Sequence, residues 1–308
     1  MVRPLAGNLR GDRMTSNARS TRDSFKTATG KLRAAIFDVD RTGIIPRPST
    51  ARAKAAAWAS IVGLYLAGWG DGTYRAFAIL LGWVPTPDTW PVGTVASRSQ
   101  GIVQTLGIVI VALALIWAFR QYAAAQPPRV PLRTSLQAFL LGYVAVSTGF
   151  VLTAGIGELI GHPLNQFPVE PIDDPLLAVL NVIDDGMAGP AEELALLALV
   201  VIALRATGHS WTVVTIAAIA VRLPFHAYYG WSIIGLAAWA ALMVLIYKRT
   251  GAILALILEH ASWNMLNSAG EIGGVMKALF VVGGVAVIVV FLVRIDRRTP
   301  AATPVGTA

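Results

Sequence analysis

Three short runs hold most of the residues able to do chemistry in this chain. Gly186-Met187-Ala188-Gly189-Pro190-Ala191-Glu192-Glu193 presents a carboxylate pair. Arg222-Leu223-Pro224-Phe225-His226 sets an arginine four residues before a histidine, and Leu258-Glu259-His260-Ala261-Ser262-Trp263-Asn264 sets a histidine four residues before an asparagine. All three runs lie in apolar sequence, where an ionisable group is costly and ordinarily has a partner or a task. A fixed carboxylate can act as a base toward water. His260 and Asn264, four apart on a helix, share one face and can both donate to a single oxygen. A carboxylate and two histidines on three separate helices can thus activate a water, and they can also bind zinc.

Each run also has a purely structural reading. Pro190 suits a first helical turn after the glycines break the chain, which places Glu192 and Glu193 near a helix start, where the dipole favours acids and an acidic cap is ordinary. Arg222 and His226 share a face if Pro224 only kinks the helix, yet the adjoining Tyr228-Tyr229-Gly230-Trp231 is material for an interfacial aromatic belt. His260 and Asn264 can serve as polar glue between membrane helices.

The elements that position these residues are read from composition. The 308 residues are 55% hydrophobic and 14% charged, with a mean hydropathy of +0.62, more apolar than a single soluble core requires. A membrane is the matching solvent. Cysteine is absent, which excludes disulfides, thiolate metal sites and a cysteine nucleophile. About eight apolar stretches are long enough to be spans: 55–82 (interrupted near Asp71 and Arg75), 101–119, 135–157, one within 176–204, 211–229, 231–247, 251–268 and 275–293. The expected fold is an all-α, polytopic membrane helix bundle, multi-pass in the cell membrane.

Charge gives the orientation. Residues 1–54 hold twelve Arg or Lys against four Asp, equal to the whole-chain net charge of +8. They read as a basic, mostly disordered cytoplasmic tail held against anionic lipid, with no signal peptide and no nucleic-acid partner expected. Further basic residues mark Arg120/Arg129/Arg133, Arg205, Lys248/Arg249 and Arg294/Arg297/Arg298, whereas Glu158, Glu170, Asp173, Asp174 and Glu271 mark the alternate connections. This alternation predicts N-in/C-in topology with an even number of spans. The domain reading is then residues 1–54 as tail, 55–134 as N-terminal transmembrane helices, 135–293 as the bundle with the chemical motifs, and 294–308 as a short cytoplasmic tail.

Ala35-Ile36-Phe37-Asp38-Val39-Asp40-Arg41-Thr42 and Ile183-Asp184-Asp185 resemble the acidic motifs of haloacid-dehalogenase phosphatases. That chemistry needs a magnesium site at the strand ends of a soluble α/β domain. Here hydrophobic spans separate the two segments.

The order and spacing of the three runs resemble the CPBP intramembrane protease family, named for CAAX prenyl endopeptidases and bacteriocin-processing proteins, over residues 135–270. Its members carry Glu-Glu-x-x-x-Arg, Phe-x-x-x-His and His-x-x-x-Asn on successive membrane helices. Glu192 and Glu193 match the first motif, His226 the histidine of the second, and His260 with Asn264 the third. The motif arginine falls at Leu197 and the motif phenylalanine at Arg222, so Arg222 becomes a candidate to supply the positive partner that Leu197 cannot.

The resemblance implies an endopeptidase acting on a peptide or membrane-protein substrate. In it, Glu192 and His226 activate water while His260 and Asn264 stabilise the oxyanion. A zinc-dependent version would use Glu192, His226 and His260 as ligands. The two departures keep open a proteolytically inactive scaffold or immunity protein that binds a peptide. A transporter is the third reading, since buried Glu and His also build proton relays, but no internal repeat supports it.

Overall fold

The computed structural model describes residues 26, 29–87, 89, 92–165 and 172–297. Tail residues 1–25 and 298–308, and Glu170, lie outside the described residues. Two units are distinguished, Met1–Val39 with Arg298–Ala308, and Asp40–Arg297. In the first, the described part is a helical stretch ending in a π turn at Ala34–Asp38.

The second unit holds eight α-helices and no strand among the described residues. They are α1 Ala51–Leu80, α2 Val95–Tyr122, α3 Leu132–Ile160, α4 Pro175–Ala206, α5 Trp211–Arg222, α6 Leu236–Thr250, α7 Ile253–Asn267 and α8 Gly270–Arg297. Their starts follow from local chemistry. Thr50 caps α1 by accepting from the Ala53 N–H, Thr94 and Ser97 form a capping box on α2, and Ser210 caps α5. Asp174 accepts from the Leu176 and Leu177 N–H groups ahead of Pro175 at the start of α4. α3 and α6 end at Gly161 and Gly251, both with positive φ, as a left-handed terminus requires.

Of the eight expected spans, these lengths support five. Five helices are long and apolar enough to cross a membrane: Val95–Tyr122, Leu132–Ile160, Pro175–Ala206, Trp231–Thr250 (which includes the turn before α6) and Gly270–Ile295. The 12-residue α5 and 15-residue α7 rise only about 18 and 22 Å, short of a roughly 30 Å hydrocarbon core. α1 is one unbroken helix through the Asp71–Arg75 pair, but it is not among the five.

Burial sorts the helices by neighbour. α4 is central and almost wholly enclosed, whereas α2 and α8 expose apolar side chains such as Val103, Ile110, Trp117, Leu279 and Val282. A water-soluble protein rarely leaves so much apolar surface open, and lipid is its natural cover.

The helices alternate in direction, so their connections gather at two ends. At one end residues 40–50 run as a strap. Arg41 N–H donates to Lys248 O (2.7 Å), Ser49 Oγ to Thr207 O (2.6 Å) and Arg120 Nη1 to Thr42 O (3.4 Å). Thr42 and Ile44 are buried there. This strap joins the α2–α3, α4–α5 and α6–α7 connections and forms a basic end. At the other end lie the α1–α2, α3–α4 and α7–α8 connections.

Candidate active site

Glu192 and Glu193 stand in the middle of α4, not in a first turn. The helix starts at Pro175 and passes through Pro190. The glycines before it serve close packing, not chain breaking: a Cβ on Gly189 would meet the Ala261 backbone nitrogen at 2.5 Å, and one on Gly186 would meet Met265 Cγ at 2.9 Å. They let α4 approach α7, the helix carrying His260. Proline cannot donate to the preceding turn, and from Glu193 to Ala198 the helix widens into a π turn, a device that recurs at functional sites.

Glu193 is fully buried and accepts from two side chains on one oxygen. Arg222 Nη2 lies 2.7 Å and His260 Nδ1 2.8 Å from its Oε1. Because a carboxylate only accepts, His260 carries a proton at Nδ1. Its Nε2 then faces Glu192, 4.0 Å from Oε2. That separation is too long for a hydrogen bond and is compatible with a small bridging oxygen. Glu192 Oε2 is buried without a hydrogen-bond partner among the described residues.

His226 does not ride on a helix. α5 stops at Arg222, and Pro224–Tyr229 forms a 3-10 turn followed by a second one at Trp231–Gly235, with Gly230 at φ 102° between them. The expected spans 211–229 and 231–247 are therefore a helix, a pair of tight turns and a returning helix. His226 Nδ1 lies 2.8 Å from Arg222 O, and since a carbonyl only accepts, Nε2 of a neutral ring is left with its lone pair. The turn is held from outside by Asn165, whose N–H donates to Tyr229 O (3.0 Å) and whose Nδ2 donates to Tyr228 O (2.9 Å).

A cavity of about 1190 Å³ brings these groups together: Glu192, His226, His260 and Asn264 all line it, with Tyr228, Tyr229 and Trp263 among its aromatic walls. Glu193 and Arg222 stand behind it. Leu197, where the resemblance places an arginine, is 1% exposed in the apolar core, and Arg222 makes the contact to Glu193 instead.

The structure adds two residues that sequence reasoning missed. Trp239 stacks under the Arg222 guanidinium at 4.4 Å and meets the His260 ring edge-on at 5.2 Å and the His226 ring at 6.0 Å. A lone tryptophan in an apolar stretch carries no motif. Glu259 is 1% exposed, and neither of its carboxylate oxygens has a hydrogen-bond partner among the described residues. Its signal was in plain sight, an ionisable residue in an apolar helix, but the motif beside it drew the reading to His260.

Among the described residues no three His, Asp or Glu side chains are grouped so as to hold a metal ion. His260 Nε2 stands 4.0 Å from Glu192 Oε2, wider than two ligands of one tetrahedral zinc at about 2.0–2.2 Å would stand. The zinc arrangement of Glu192, His226 and His260 is not supported by this geometry, and no step below runs through a metal. The phosphatase-like acids are also engaged elsewhere: Asp40 accepts from Thr42, and Asp184 pairs with Arg98 at 2.7 Å.

Residues 175–266 match the family model described as Type II CAAX prenyl endopeptidase Rce1-like. The match spans less than a third of the chain and contains every candidate site residue named from the sequence. It agrees with the CPBP resemblance and points, at family level, to a membrane protease. No curated protein and no solved structure matches the chain.

Proposed function

We propose that the protein is an intramembrane endopeptidase that hydrolyses a peptide bond of a membrane-associated peptide or protein. One observation carries this reading: within the segment that matches a CAAX-type endopeptidase family, Glu192, His226, His260 and Asn264 line one cavity at mid-bundle. Glu192 is the base. It takes a proton from a water that His226 Nε2 helps to orient, and the resulting hydroxide attacks the scissile carbonyl. Asn264 donates its amide N–H to the developing oxyanion. The tetrahedral adduct collapses with cleavage of the C–N bond as protonated Glu192 returns its proton to the departing amine, which leaves a carboxylic acid and an amine as products.

His260 can join Asn264 only if Nε2 also carries a proton. Arg222 holds Glu193 in place of the arginine missing at 197. The aromatic walls of the cavity suit apolar residues next to the scissile bond.

The chain is read as inserted N-in/C-in in the cell membrane. The experiment for the activity is substrate trapping: membranes expressing wild type or Glu192→Gln are compared by proteomics. Proteins that accumulate bound to the variant and appear as fragments with wild type are the expected outcome. A binding set that is the same for both forms, with no fragments, indicates instead the peptide-binding scaffold suggested by Leu197.

A further inference from the structure

We infer that the catalytic chamber opens on the non-cytoplasmic side of the membrane, so that its substrates are peptide segments presented at that surface. The inference rests on the protease reading for the substrate, and on charge and packing for the side.

Among the described residues, the chamber's lining reaches one end of the bundle. Its lining includes Leu164, Asn165 and Ile172 of the α3–α4 connection and Asn267, Ser268 and Gly270 at the α7–α8 connection. Among the described residues, none at the basic end lines it. In that direction α4 continues from the π turn through Leu196–Leu204, every residue buried, and the strap 40–50 closes over the helix ends beyond. A peptide has a way in from the Asn267/Ser268 end and meets packed core from the other.

The two ends differ in charge. At the closed end stand Arg120, Arg129 and Arg133 around the α2–α3 turn, Arg205 at the end of α4, and Lys248 and Arg249 at the end of α6. At the open end, Glu158, Asp173, Asp174 and Glu271 sit on the connections, and fewer basic residues stand there: Arg75, beside Asp71 (2.8 Å), Arg98, beside Asp184 (2.7 Å), and Lys277, beside Asn267. Lys and Arg in short connections stay in the cytoplasm. The closed end is therefore cytoplasmic and the mouth faces away from it. A prenylated C-terminal tail in the cytoplasm would meet the sealed end. Exported peptides, or the outer flank of a membrane protein, meet the chamber.

The chain lacks cysteine, so single cysteines report without background. Full-length Ser268→Cys, at the mouth, and Arg129→Cys, at the sealed end, are both exposed positions, with Asn267→Cys as a second mouth position should Ser268→Cys fail to fold. Each is expressed in spheroplasts and treated with a membrane-impermeant maleimide before and after permeabilisation. The expected result is that mouth cysteines label before permeabilisation and Arg129→Cys labels only after. The reverse pattern, or labelling of both or neither from outside, overturns the inference. In proteoliposomes whose orientation is scored by the same two cysteines, a quenched fluorescent peptide library added outside should be cleaved in proportion to the mouth-out fraction. Cleavage that follows the Arg129-out fraction also overturns it. Absence of cleavage in both orientations ends the protease reading, and the labelling still decides the side.

Discussion

Glu193 gathers a guanidinium and an imidazole on one oxygen in a site with almost no exposure, and among the described residues Arg222 is its fixed cation. Breaking a buried pair by removing one partner leaves an uncompensated charge and costs about 3–5 kcal/mol. Arg222→Leu is therefore expected to lower stability by that order in detergent unfolding and to abolish cleavage. Leu197 lies one turn from Glu193 on α4, so adding Leu197→Arg should recover part of both losses. A mild Arg222→Leu phenotype with no rescue contradicts the replacement of the motif arginine by Arg222. At this scale much was legible: type and spacing, with the family resemblance, singled out Glu192, His226, His260 and Asn264, and they line one cavity. The division between Glu192 at the cavity and Glu193 behind it was not legible, because adjacent identical residues differ only in which way the helix turns them. Trp239 was invisible for a different reason: its part comes from neighbours distant in sequence.

The site exists only because α4 and α7 touch without side chains between them. A methyl group at Gly189 would collide with backbone atoms of α7, which cannot rotate away, so Gly189→Ala should cost roughly 1–3 kcal/mol by overpacking and move Glu192 relative to His260. The expected outcome is a lower unfolding temperature and a larger loss of cleavage rate than the stability change explains. Gly155 on α3 has open space around it, so Gly155→Ala should be neutral or slightly stabilising. Equal effects at both positions would show that helix contact does not set the geometry. The sequence pointed the wrong way here. Gly-x-x-Gly-Pro before two acids reads as a break and a new start, and only the partner helix reveals the glycines as contact surface. His226 in a tight turn was equally hidden, since an apolar run with one proline does not show where helix yields to 3-10 geometry. Such backbone persists at membrane depth where it lines a cavity.

Across the whole molecule, the strap 40–50 ties three connections of the basic end together, whereas residues before it belong to a separate unit. Deleting residues 1–38 should leave detergent-stable protein, and extending the deletion through residue 50 should lower the unfolding temperature and promote aggregation. Equal stability of both truncations contradicts a structural strap. The all-helical membrane class was plain from composition, and eight apolar stretches did become eight helices. Length supports only five of the eight as spans, because hydropathy measures solvent preference, not depth: α5 and α7 are apolar, yet short. The central claim is that Glu192 activates the water that cleaves a peptide. It is tested most directly by the cleavage rate of purified wild type and Glu192→Gln on one peptide library, with both proteins matched by unfolding temperature. A general base contributes on the order of 10²–10⁴-fold, so cleavage by wild type and a loss of that size in the folded variant is the predicted result. Cleavage retained by folded Glu192→Gln, or none by wild type, would contradict it.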